Sequence, residues 1–155
     1  MTAITEVFGN GLRLTAVAMV LSREIDGSSL SPKDFEVTNR TVVNVYTSTS
    51  PDPSGNSRRG RYIIVELDPE DEEARLYVVS GRKVIRKDAA AEVTWTCAIT
   101  TRAGDTLAPT FPVTTSAVHN RVVDAFEQLS FTDAETGARL EYNLFKPRNY
   151  DPPQS

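Results

Sequence analysis

Short apolar runs broken by clusters of Gly, Pro, Asp and Ser recur at intervals of roughly 8–12 residues, which is the punctuation of an all-β protein. The first strong run is Leu12-Arg-Leu-Thr-Ala-Val-Ala-Met-Val-Leu21. With a period of two, Leu12, Leu14, Ala16, Ala18 and Val20 share one face, and Arg13 and Thr15 the other. Toward its end both faces turn apolar, the pattern of a strand in the middle of a sandwich. Propensity alone allows a helix here, but the Gly9-Asn-Gly11 lead-in and the strand-like neighbours favour a strand. Further strands are predicted at 41–47, 61–67, 75–79, 92–100, about 118–129 and 139–146. In 92–100 the alternation is clean: Val93, Trp95, Cys97 and Ile99 inward, Thr94, Thr96 and Ala98 outward.

Between the runs lie recognisable turns. Ser31-Pro-Lys-Asp34 reads as a short helical turn with Ser31 as N-cap, Pro32 at the first helical position and Asp34 near the positive end. Leu30 and Phe35 bracket it, and both can reach the core. Segment 48–60 holds two prolines, two glycines and several serines, so it is predicted to be an exposed loop. There is no internal repeat and no low-complexity tract. About seven short strands with such turns match an immunoglobulin-like β-sandwich. A single cysteine, Cys97, leaves no partner for an antibody-type disulfide.

Composition narrows the partners. At 155 residues the chain fits one domain with a short extension, and roughly 70% of its unfolded surface can be buried without metal or disulfide support. A net charge of −4 argues against nucleic acid or an anionic membrane as partner. No apolar run approaches the roughly 20 residues of a membrane-spanning helix. Met1-Thr-Ala-Ile-Thr-Glu-Val7 lacks the basic start of a signal peptide. As written the chain is expected to be cytoplasmic, or secreted if a leader was removed.

Candidate chemistry is sparse. A serine hydrolase needs a nucleophile on a strained elbow, a His base and an acid that orients it. No Gly-x-Ser-x-Gly occurs; Asp26-Gly-Ser-Ser-Leu30 lacks the second glycine and sits between strands. The sole histidine, His119, lies in a strand-like stretch. One His and one Cys far apart give no zinc spacing. Asp68-Pro-Glu-Asp-Glu-Glu73 lacks the alternating ligands and glycine of a calcium loop and reads as a solvated turn. Arg58-Arg-Gly-Arg61 has no interleaved aromatics and reads as loop charge. Trp95 is predicted in the core rather than on a sugar-stacking platform, as are Tyr46, Tyr62, Tyr77 and Tyr142, all within strands. Cys97 is predicted to be a small buried apolar residue. Tyr150 falls in a linker. No catalytic, cofactor-binding or metal-ligating residue is assigned, and no cofactor is expected.

The tail is the most telling segment: Phe131-Thr-Asp-Ala-Glu-Thr-Gly-Ala-Arg-Leu-Glu-Tyr-Asn-Leu-Phe-Lys-Pro-Arg-Asn-Tyr-Asp151. It resembles the run-in to the catalytic domain of bacterial serine esterases of the α/β-hydrolase fold that carry an immunoglobulin-like N-terminal domain. In that family "Leu-x-Tyr-x-Leu-Phe-x-Pro" precedes "Tyr-Asp-Pro" and then the first buried hydrolase strand, which would begin where this chain stops at Ser155. A second likeness lies in Ile25-Asp-Gly-Ser-Ser-Leu-Ser-Pro-Lys-Asp-Phe-Glu-Val37, similar to a turn of bacterial immunoglobulin-like families.

The resemblance implies a sandwich over 1–130 and, over 131–155, a connector and first strand leading into an absent α/β-hydrolase domain. On the segment 139–146 Leu140, Tyr142 and Leu144 form one face; by resemblance it belongs to the edge of the hydrolase sheet. Without that sheet it must pair elsewhere, pair with another copy, or stay loose. The implied role is a non-catalytic accessory domain of a carboxylesterase, inert alone, that packs on the catalytic domain and supports assembly or active-site shape. A homo-oligomer is an open expectation. The alternative is an independent bacterial adhesion or ligand-binding module, which explains the sandwich but not the tail.

Overall fold

In a computed structural model, which describes residues 1–53, 57 and 59–146, the N-terminal residues Thr2–Phe8 form a strand, β1. It pairs antiparallel with a long second strand, β2 (Gly11–Asp26), across a tight turn whose Gly11 takes φ 124°. Sequence reading misses β1 because Ala3, Ile4 and Thr5 are buried in succession, which hides any period of two. Ile4 lies opposite Ala16 but Thr5 lies opposite Leu14, so Thr15 is a bulged extra residue. The bulge reverses the parity of β2. Leu14, Val17 and Met19 enter the main core, while Ala16 and Ala18 join Ile4 and Ile64 in a second cluster. The single face predicted for Leu12 through Val20 is therefore split at Thr15, and Val20 is exposed.

Strands β3 (Phe35–Val37), β4 (Val42–Ser48), β5 (Arg59–Leu67), β6 (Tyr77–Ser80), β7 (Lys83–Arg86), β8 (Glu92–Trp95), β9 (Ile99–Thr100), β10 (Thr106–Leu107), β11 (Val113–Thr114) and β12 (Ala117–Asn120) follow. The five-stranded sheet runs β12-β1-β2-β5-β4 and the three-stranded sheet β11-β8-β3. Val17, Met19, Ile63 and Val65 of the first share one core with Phe35, Val37 and Val93 of the second. This is an all-β, immunoglobulin-like sandwich. The predicted turn at Ser31 is a 3-10 turn over Pro32–Asp34, with the Ser31 hydroxyl accepting from the Lys33 N–H.

Two predicted strands are shorter than expected. The 92–100 strand leaves the sheet after Trp95, where the Thr96 N–H donates to the Asp34 carbonyl. Trp95 is half-buried and Cys97 exposed, because Val93 and Ile99 are buried in different strands and the alternation between them is fortuitous. The 118–129 strand is interrupted at Asn120. Its side chain accepts from the Val122 and Val123 N–H groups, and a 3-10 turn over Val123–Ala125 follows.

The chain forms two compact units, Met1–His119 and Asn120–Ser155. The second is a hairpin of β13 (Phe126–Thr132) and β14 (Arg139–Phe145). Asp133 closes its turn by accepting from the N–H groups of Glu135 and Thr136, and Gly137 supplies φ 70°. The Phe126 and Phe145 rings, 5.6 Å apart, close the open end.

A Cβ on Gly60 would lie 1.8 Å from the Ser48 carbonyl oxygen, backbone against backbone. Gly60→Ala should therefore lower stability by about 1–3 kcal/mol, read from urea unfolding, with the β4–β5 amides losing exchange protection first. Arg13 is 2% exposed; its guanidinium donates to the Pro69 carbonyl and, at 2.7 Å, to Glu70, and lies 5.3 Å from the Phe8 ring centroid. Arg13→Ala should cost about 2–4 kcal/mol. Glu70→Ala, at a side chain 72% exposed, should cost under about 1 kcal/mol. Hydrogen bonds from Thr136 and Glu135 hold the Asp133 carboxyl below its ordinary 3.8. The turn is thus favoured above pH 3.8 and loosens as pH falls through the folded value, which a carboxyl-carbon NMR titration would register.

Candidate functional site

The serine-containing turn nearest to an elbow is a 3-10 turn over Gly27–Ser29 that ends β2. Asp26 accepts from both the N–H (3.0 Å) and the hydroxyl (2.7 Å) of Ser28, and these bonds hold its carboxyl below the usual range. The Ser29 hydroxyl donates to the Asp26 carbonyl at 2.9 Å. The Ser28 hydroxyl donates directly to the Asp26 carboxylate, a weak base with its lowered pKa, and no imidazole stands between them. His119 is half-buried in β12, where its carbonyl accepts from Thr5. Thr5 lies opposite Leu14, and Asp26 sits on the order of 30 Å further along β2 at about 3.3 Å per residue, after allowing for the irregularity near Val20. His119 and the 26–30 turn thus lie far apart along the same sheet.

The acidic run stays at the surface but is bonded to its neighbours. Asp68 accepts from the Glu70 N–H at 2.9 Å, and Asp71 from the Thr41 N–H at 2.6 Å and its hydroxyl at 3.2 Å. Glu73 pairs with Lys87 at 3.0 Å, and Glu70 with Arg13. The carboxylates thus fasten a crossover to the sheet. Among the described residues no group of three or more His, Cys, Asp or Glu is placed to hold a metal ion.

Beside this crossover is a pocket of about 270 Å³ lined in part by Arg40, Glu73, Lys87, Asp88 and Glu92. Burial lowers the Arg40 pKa against the pull of Glu73 and Asp71, and its guanidinium donates to the Glu73 carbonyl at 3.1 Å. Lys87 pairs there with Glu73, and the Glu92 carboxylate accepts from the Thr38 hydroxyl.

The aromatic residues divide. The Trp95 indole N–H donates to the Ala108 carbonyl at 2.7 Å, at the margin of the core. Tyr46 and Tyr62 pack on the second cluster, whereas Tyr77 and Tyr142 are exposed. Of the basic cluster, Arg61 donates to the Leu21 carbonyl, and Arg58 lies outside the described residues, as does Tyr150.

The largest concentration of exposed apolar side chains is on the hairpin. Register places Leu129 opposite Tyr142 and Phe131 opposite Leu140, with Leu144 beside them on the same face. The other face carries Gln128, Ser130, Thr132, Arg139, Glu141 and Asn143, with the Phe126–Phe145 pair at its open end. Sequence reading found the Leu140, Tyr142 and Leu144 half. It missed Leu129 and Phe131 because it ran β13 into a longer strand that ended before the turn.

The model of the esterase Ig-like N-terminal domain family matches residues 1–108. A solved structure, described as the crystal structure of a thermostable esterase, matches at 30% identity with a TM-score of 0.86. The match covers 97% of this chain and 43% of that one, so this chain spans less than half of the esterase's length. No curated protein matches. With the family model spanning well over half of its residues, the chain belongs to the family of esterase Ig-like N-terminal domains.

Proposed function

We propose that this chain is the non-catalytic accessory module of a serine carboxylesterase, packing on an α/β-hydrolase catalytic domain and supporting assembly or the shape of the active-site entrance. The family match over residues 1–108 carries this reading. The likeness of the chain to part of a thermostable esterase supports it. So does the serine turn, where the Ser28 hydroxyl bonds directly to the Asp26 carboxylate with no imidazole between them. In this reading the sandwich gives way to a connector that begins before the β13–β14 turn and leads into the catalytic domain.

The test compares two proteins on a short-acyl chromogenic ester: the 155-residue chain, and the same chain extended through the downstream coding sequence. The extended protein should hydrolyse the ester with saturation kinetics, and the shorter chain should match buffer. Turnover by the shorter chain would overturn the accessory role. An extended protein without hydrolysis, together with tight glycan binding by the isolated chain, would favour the adhesion reading instead.

A further inference from the structure

The β6–β7 hairpin forms a two-stranded sheet of its own, outside both sheets of the sandwich. Its root is Leu76, 2% exposed, whose N–H donates to the Leu12 carbonyl at 3.0 Å and whose carbonyl accepts from the Lys87 N–H at 2.8 Å. Beyond the root every residue from Val79 to Arg86 is exposed. Gly81, at φ 62°, makes the two-residue turn that carries the chain back. Val79 and Val84, opposite each other on one face, are 73% and 65% exposed, and Ile85 on the other face is 50% exposed. A ribbon that leaves β-branched side chains in water on both faces marks an interaction surface.

Cations are interleaved with these side chains. Segment 75–87 holds Arg75, Arg82, Lys83, Arg86 and Lys87 and no Asp or Glu. Lys87 pairs with Glu73, whereas Arg82, Lys83 and Arg86 take part in no ion pair among the described residues. The net charge of −4, which taken alone argues against an anionic partner, therefore divides into +5 on this segment and −9 on the rest of the chain. A molecule so divided meets an anionic surface with the hairpin first, because the remainder is repelled.

The mixture of side chains selects the partner. A nucleic-acid backbone or an acidic peptide would satisfy the cations and leave Val79, Val84 and Ile85 in water. A stable protein interface takes about 20–30 residues a side, and the hairpin offers ten, four in each strand and two in the turn. A lipid surface needs no shape complementarity and accepts both kinds of side chain at one depth, aliphatic groups below the headgroups and cationic heads among them. We propose that the β6–β7 hairpin docks the protein on an anionic lipid surface. Val79, Val84 and Ile85 enter the interfacial layer, and Arg82, Lys83 and Arg86 hold its anionic headgroups. The proposal goes beyond the accessory role and uses no residue of a catalytic domain.

Vesicle sedimentation tests this on the 155-residue chain. The chain should pellet with phosphatidylcholine vesicles containing about one-third phosphatidylserine, stay in solution with phosphatidylcholine alone, and be released by salt. Each cation near such a surface contributes about fivefold to partitioning, so Arg82→Gln, Lys83→Gln and Arg86→Gln together should weaken it about a hundredfold. Lys33→Gln, Arg59→Gln and Arg139→Gln together change the net charge equally and should leave partitioning within about threefold. Val79→Thr with Val84→Thr keeps charge and strand propensity and should weaken it about tenfold. Insertion is read separately from an environment-sensitive dye on Val79→Cys in a Cys97→Ser background. Its emission should move to the blue on the phosphatidylserine vesicles and stay unchanged with polyglutamate or duplex DNA. Failure to pellet, equal losses from the two triple variants, or a dye that does not respond to vesicles would overturn the proposal. So would binding to polyglutamate or duplex DNA as tight as to the vesicles.

Discussion

From Arg13 to Met19 strand β2 is buried on both faces, and the sandwich is organised around that fact. A strand with apolar side chains above and below can satisfy its backbone only through two flanking strands, here β1 and β5, since water reaches neither face. The Thr15 bulge makes this double burial workable. It sets the bulky Leu14, Val17 and Met19 toward the facing sheet and the small Ala16 and Ala18 toward the other side, where Tyr46 and Tyr62 pack. Without the extra residue, Ala16 and Ala18 would face the main core behind Leu14. The space would be underfilled, and Val17 and Met19 would be on the wrong side.

The hairpin shows what happens when that constraint is unmet. β13 and β14 have each other and no third strand among the described residues, and apart from Phe126 and Phe145 their large apolar residues lie on one face with nothing buried. Local devices compensate at both ends: Asp133 and Gly137 fix the turn, and the Phe126–Phe145 ring contact holds the open end. Such devices fix register but bury little area. A hairpin with good register and no core is suited to joining a larger structure.

How much was legible in the sequence follows from how local each signal is. The Ser31-Pro-Lys-Asp34 turn was readable because a cap and a proline act within a few residues. The apolar half of β14 was readable because exposed alternation survives where only one face is apolar. β1 was invisible because burial of three successive residues erases the period. The placement of Trp95 and Cys97 went wrong because Thr96 bonds to Asp34, a partner 62 positions away that no local pattern announces. The acidic run was read as solvated charge because its partners, Arg13, Thr41 and Lys87, are set by the fold. The family resemblance was legible for the same reason as the turns: its motifs, a turn and a strand end, lie within short stretches of sequence.

Covalent connection decides what the hairpin's apolar face can accomplish. Two separate proteins meeting over five half-exposed side chains would bury too little to offset the loss of translational and rotational freedom. On one chain the encounter is intramolecular, the local concentration of the partner reaches the millimolar range or higher, and a modest face suffices. In the structure that face presents Leu129, Phe131 and Leu140 to water. The sandwich has its own core, organised on β2, while the β13–β14 hairpin rests on its turn and its ring contact.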